Sequence, residues 1–443
     1  MVDSSNHTTM KTSFHIDQKY EQFHHGLTSP KDLDPLLEKI GDAKYVLLGE
    51  ATHGTHEFYT WRSEISRRLI EEKGFSFIAV EGDWPDCYKI NRYIKGHQNG
   101  SQTLADILRS FNRWPTWMWS NWEVVALGEW LARHNHNLHA SHKVGFYGLD
   151  VYSLWESMNT IIQFLNDKDP DSAAIAKRAY ECFEPYYEEG SNYAKAIGRY
   201  HISCKEEVLQ LLMEIRSKMD VYKTDHEASF NLEQNAFIAV NAEKYYRSML
   251  SFGPDSWNLR DKHMTDTLDR LMKFHRPEAK AIVWEHNTHI GDARATDMHD
   301  DGMWNIGQLI REEHEQEGVV LIGFGTYQGT VIAGSEWGAP MEIMQVPPAR
   351  QGSIEHYLHN EFEEDRLFLF NQNIEDKIFK QSVPHRAIGV VYHPTRERIG
   401  NYVPSNLSKR YDAFIYVDTT MALHPLQLKP DGHKIPETFP FGI

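Results

Sequence analysis

Apolar positions along the chain fall into two textures. Short unbroken runs suited to buried strands occupy 44–49, 75–80, 144–149, 281–284 and 319–324, with further short ones at 330–333, 367–370, 387–392 and 413–417. Elsewhere apolar residues recur at helical spacing. Leu33, Leu36, Leu37 and Ile40 share one face of 31–40, and Phe58, Trp61, Ile65 and Leu69 share one face of 56–73, which Gly74 ends. Pro85 opens a helix running to Gly96, 101–111 predicts another, and 122–134 a third, after a break at Pro115. Residues up to about 30 read as a polar lead-in. From 152 to 278 strands vanish, and spacing such as Val208, Leu211, Leu212 and Ile215 predicts several helices. Strands alternating with helices predict an α/β fold: a mostly parallel β-sheet core flanked by helices, with a large helical insertion forming a second lobe. The expected divisions are 1–151 for the first part of the core, 152–278 for the insertion and 279–443 for the rest of the core.

A parallel sheet gathers the carboxyl ends of its strands on one edge, where open α/β sheets bind ligands. Glu50, Glu81, Asp150, Glu285 and His286 each follow an apolar run, so together they predict a cleft. Glu50 and His53 lie three apart on a tight turn. One reading makes His53 a general base whose tautomer a carboxylate fixes; the other makes Glu50 a helix cap and His53 a satisfied turn residue. Arg62 sits one residue past core-facing Trp61. It either reaches the cleft to stabilise developing negative charge or points to solvent. Glu81, at a buried strand end, needs a partner, and Arg62 is the candidate.

In EHNTHI, His286 and His289 fall within one turn. They form either half a metal site, completed by His53 and Glu81, or a metal-free pair in which His286 donates a hydrogen bond or moves protons and His289 supports it. Trp114, Trp117, Trp119 and Trp122 suit the core or a pocket wall. Trp117, Asp150, Glu285 and Arg260 are the expected substrate contacts. The glycine-rich 323–330 predicts a tight turn lining the cleft. There is no GxSxG nucleophile elbow and no GxxxxGK[ST] phosphate loop.

Composition narrows the classes. Of 443 residues, 41% are hydrophobic and 12% aromatic, which indicates a globular chain. A net charge of −17 disfavours nucleic acid and anionic membrane surfaces as partners. Cys87, Cys182 and Cys204 show no close pairing and no CxxC, which predicts free thiols in a reducing compartment, Cys87 in the core. With no secretory-type segment and no run of roughly 20 apolar residues, a cytoplasmic protein is expected.

GEATHGTHEFYTWR, AVEGDWPD, FNRWPTWMW, GLDVY, NLRDKHM and WEHNTHI, in this order, resemble the erythromycin esterase family, over about 31–417. The resemblance implies a metal-independent hydrolase with an α/β core and a helical lobe over a deep cleft, some members of which open a macrolide lactone with water. It places the water-activating histidine on His53, its partner glutamate on Glu50, the helix arginine on Arg62, the strand-end glutamate on Glu81 and the paired histidines on His286 and His289. Glu285 departs from the macrolide-resistance branch, which carries AHN there; an added carboxylate changes the charge beside His286. The expected partner is a small-molecule ester, with no cofactor. The competing readings are a metal-dependent hydrolase built on the same cluster and a non-catalytic binder of amphiphilic molecules.

Overall fold

The computed structural model describes residues 23–97, 102–186, 190–200, 203–222, 226–249, 253–371 and 377–428. Most of the expected polar lead-in lies outside them. Eleven strands are described: β1 His24–Gly26, β2 Tyr45–Leu48, β3 Phe77–Asp83, β4 Gly145–Asp150, β5 Ala281–Trp284, β6 Val319–Gly334, β7 Met341–Val346, β8 Arg366–Leu369, β9 Ser382–Arg386, β10 Tyr402–Asn406 and β11 Ala413–Thr420. Nine form one sheet in the order β1-β8-β11-β6-β2-β5-β3-β4, with β7 on the far end of β6; β9 and β10 pair separately. The central strands β11, β6, β2, β5, β3 and β4 are mutually parallel, and β1, β7 and β8 join antiparallel. The fold is therefore the α/β architecture expected.

The period-2 alternation of side chains divides each strand between two cores. Val46 and Leu48 of β2 and Ile78 and Val80 of β3 pack with the helices His56–Lys73 and Trp122–Asn135. Tyr45, Leu47, Phe77 and Ala79 point the other way, onto Met264, Leu268 and Leu271 of the helix Asp255–Phe274. Helices between Leu154 and Ser248 share a third cluster that includes Met158, Ile161, Leu211 and Ala239.

Three expectations need correction. Residues 323–330 are not a turn: β6 runs unbroken through them because β11 pairs with it as far as Gly329 and β7 takes over from there. The expected strand at 387–392 is reduced to isolated bridges, Ile388 with Thr52 and Val391 with Gly334, while the paired strand is β9 just before it. Cys182 and Cys204 form a disulfide with a Cα–Cα distance of 5.9 Å, so the cysteines no longer argue for a reducing compartment. The helix Pro170–Phe183 and the start of Lys205–Ser217 bring them together across a separation of 22 residues. Cys87 is a buried free thiol, as expected. Among the described residues, no helix is long and apolar enough to cross a membrane.

Candidate active site

β2, β5, β3 and β4 are neighbours, so their carboxyl ends deliver Glu50, His286, Glu81 and Asp150 to one edge. The turn after β2 is held tightly enough to fix its side chains. Asn287 N donates to Glu50 O at 2.9 Å, and Gly49 lies so close to Asn287 that a Cβ there would stand 2.1 Å from its Oδ1. Gly54 presses against β6 in the same way, 2.0 Å from Ile332 O for an added Cβ.

The first half of the cluster is a relay. His53 Nδ1 lies 2.9 Å from Glu50 Oε1, and Arg62 Nη2 donates to Glu50 Oε2 at 2.6 Å. Arg62 is fully buried, its guanidinium 4.4 Å from the Tyr59 ring centre and 4.7 Å from that of Trp284. Its Nε and Nη1 make no hydrogen bond, so the aromatic faces stabilise the charge there. Arg62 thus holds Glu50, which holds His53. Burial disfavours charge on His53, but Glu81 and the Glu50 bond outweigh it and raise its pKa.

The second half is an ion-pair network around Glu81. Its Oε1 accepts from Arg260 Nη2 at 2.7 Å and its Oε2 from His286 N at 2.9 Å. Against burial, His289, Arg260 and His53 hold this carboxyl well below the usual range. Arg260 is bidentate to Asp150, at 3.0 and 2.6 Å, and its Nη1 lies 2.9 Å from His289 Nε2. His289 Nδ1 sits 3.0 Å from each Asp261 oxygen, and the ring stacks on Trp257 at 4.5 Å. The expected Arg62–Glu81 pair is therefore replaced by two pairs, Arg62–Glu50 and Arg260–Glu81.

His286 joins the halves. Its ring centre is 4.8 Å from that of His53. Thr288 N donates to its Nδ1 at 3.3 Å, and Thr288 Oγ1 lies 2.8 Å from the same nitrogen. Burial, with His53 beside it, holds His286 well below the ordinary histidine pKa. The neutral ring then carries its proton on Nε2, a buried donor that makes no well-aligned hydrogen bond, although the ring faces the Ala51 carbonyl. Glu285 is fully buried and neither of its oxygens makes a hydrogen bond. Burial and the charges of Glu81 and Asp261 raise it well above the ordinary glutamate value, which favours its protonated form.

Of the ten residues singled out from sequence, nine gather here. Trp117 does not: it is fully buried in the apolar core, edge-on to Trp114 at 5.5 Å. Of the tryptophans between 114 and 122, Trp119 bonds to the cluster: its Nε1 donates to Glu81 O at 3.1 Å. Sequence reading missed Asp261, Trp257 and Thr288. The signal for the first two was helical spacing, since Trp257, Arg260 and Asp261 share one face of Asp255–Phe274.

The family model described as erythromycin esterase matches residues 70–420, most of the chain. The chain belongs to the erythromycin esterase family. Membership in this family supports a hydrolase. Erythromycin esterase type II of Escherichia coli is 24% identical over 392 residues, covering 80% of this chain and 86% of that one. Solved structures share the fold. A succinoglycan biosynthesis protein superimposes with a TM-score of 0.74 at 21% identity, covering 91% of this chain and 96% of that chain. An erythromycin esterase mutant, EreC, in its open conformation gives 0.66 at 18%, covering 89% and 95%.

Proposed function

We propose that the protein hydrolyses a carboxylic ester, lactones included, by direct attack of water activated by His53. With Nδ1 fixed on Glu50, Nε2 of His53 is the nitrogen left to take the proton from water. The hydroxide forms a bond to the ester carbonyl carbon, and the carbonyl π electrons move to oxygen. The buried Nε2–H of His286 is the donor for that oxyanion. Collapse breaks the C–O bond, and the leaving alkoxide takes the proton back from His53. Arg62 and Glu50 position the base; Arg260, Asp261 and His289 position Glu81 and, through its bond to His286 N, the oxyanion donor. The observation that carries this reading is the juxtaposition of His53, anchored on a carboxylate, with a buried His286 Nε2 that makes no well-aligned hydrogen bond. Among the described residues no serine hydroxyl is bonded to the His53 ring, which supports water rather than a side chain as nucleophile.

The metal-dependent alternative has less geometric support. Among the described residues, no three of His53, Glu81, His286 and His289 bring one donor atom each within 4.8 Å of one another. A panel of lactones and simple esters, with intact-mass measurement during turnover, tests the proposal. Turnover with unmodified protein mass is expected. A trapped acyl adduct, or ligand binding without turnover of any ester, contradicts it.

A further inference from the structure

A second histidine cluster lies immediately beyond the reaction loop and shares no residue with it. His56 opens the helix Thr55 caps, Glu123 sits in the first turn of Trp122–Asn135, and His424 follows β11. His56 Nδ1 lies 2.6 Å and His424 Nδ1 2.7 Å from the same oxygen, Glu123 Oε1. One donor atom from each of the three residues falls within 4.8 Å of the others.

The backbone holds this arrangement from three directions. His56 N donates to Met421 O at 2.8 Å, Leu423 N to Gly54 O at 3.0 Å, and Trp122 N to His424 O at 3.0 Å. Glu123 and His56 are each 7% exposed, whereas the His424 side chain is 32% exposed and gives the site a path to solvent. Glu123 is an ionised carboxylate out of water, and its ionic partners among the described residues are these two imidazoles alone. Against burial, the hydrogen bonds and charge of His424 and His56 hold this carboxyl down at about 2. A divalent ion supplies the same positive charge and suits the donors: two imidazole nitrogens and one carboxylate oxygen are a zinc ligand set with a fourth position open. Among the described residues the other triad of this kind, Asp269, Glu313 and His314, has an exposed Glu313 and two half-buried partners.

We propose that His56, Glu123 and His424 bind a zinc ion that ties the reaction loop to the segment after β11. Zinc–ligand bonds of about 2.0–2.2 Å put neighbouring donors somewhat over 3 Å apart, so the two short N···O spacings open by roughly half an ångström as the ion enters. Each neutral imidazole moves its proton from Nδ1 to Nε2 as Nδ1 takes up the metal; a charged one releases a proton to solvent.

The test uses the full chain, freed of any affinity tag, stripped with a chelator and titrated with zinc chloride by calorimetry. Bound zinc is counted after gel filtration. One zinc per chain is expected, with a raised melting temperature. His424→Ala and Glu123→Gln, checked for native circular dichroism, weaken binding by more than the roughly 10–100-fold that losing an outer partner costs. His53→Ala and His286→Ala keep the stoichiometry. X-ray absorption shows two imidazoles and oxygen, and no sulfur. The proposal is overturned if the folded wild type takes up no zinc, if folded His424→Ala binds it as well as wild type, or if His286→Ala loses it.

Discussion

At His53, burial and charge pull in opposite directions, and charge wins. The neutral ring is the working base, so the acidic limb of kcat/KM sits above the ordinary histidine value. Glu50 accounts for part of that elevation. Glu50→Gln therefore moves the limb to lower pH while lowering the plateau, because the base is less well oriented; a pH–rate profile checks both. An unmoved limb contradicts the relay. The same raised value stabilises the fold below the unfolded histidine pKa, and this contribution is lost as pH rises through the folded one. Glu285 has the opposite linkage. Above the ordinary glutamate range the unfolded chain releases this proton and the folded chain keeps it, so stability falls by about 1.4 kcal/mol per pH unit. Glu285→Gln removes that slope. Its stability relative to wild type should rise as pH climbs above the ordinary glutamate range in urea unfolding, whereas a pH-independent difference places Glu285 in contact with a cation or solvent. Sequence alone flagged Glu285 as a departure from the macrolide branch but gave no sign that it is protonated, because its neighbours Glu81 and Asp261 come from distant segments.

The loop after β2 is tightly packed because Gly54 meets the backbone of β6 and Gly49 the Asn287 side chain. Gly54→Ala should cost about 1–3 kcal/mol or more through overpacking, read as a lowered urea midpoint with activity falling alongside; a neutral substitution contradicts the close packing against β6. Such loops are half legible in sequence. The apolar runs located β5 to the residue and β2 to within one residue at each end, and the helix His56–Lys73 matched its expected limits, because burial on both faces imposes continuous apolar runs and amphipathic spacing. The length of β6 and the displacement of the 387–392 strand to β9 were hidden, since pairing partners far along the chain decided them. Arg62 shows the same limit at a site residue. Its presence was read correctly, but its partner Glu50 was mistaken for Glu81 because helix orientation, not spacing, sets which carboxylate it meets.

Across the molecule, Arg260 links the helical region to the sheet edge at two strand ends. Arg260, on Asp255–Phe274, is bonded to both Glu81 and Asp150, the ends of β3 and β4. Arg260→Met strands two buried carboxylates and should destabilise by about 3–5 kcal/mol, seen as an earlier urea midpoint; a loss below about 1 kcal/mol shows that the network is solvated. The sequence placed Arg260 near substrate, yet the pairing that gives it this span joins positions 110 and 179 residues away along the chain. The account as a whole turns on the base. For any ester the wild type hydrolyses, kcat/KM of His53→Ala, measured on folded protein at the pH optimum, should fall by roughly 10²–10⁴-fold. Equal rates for the two proteins would contradict water activation by His53.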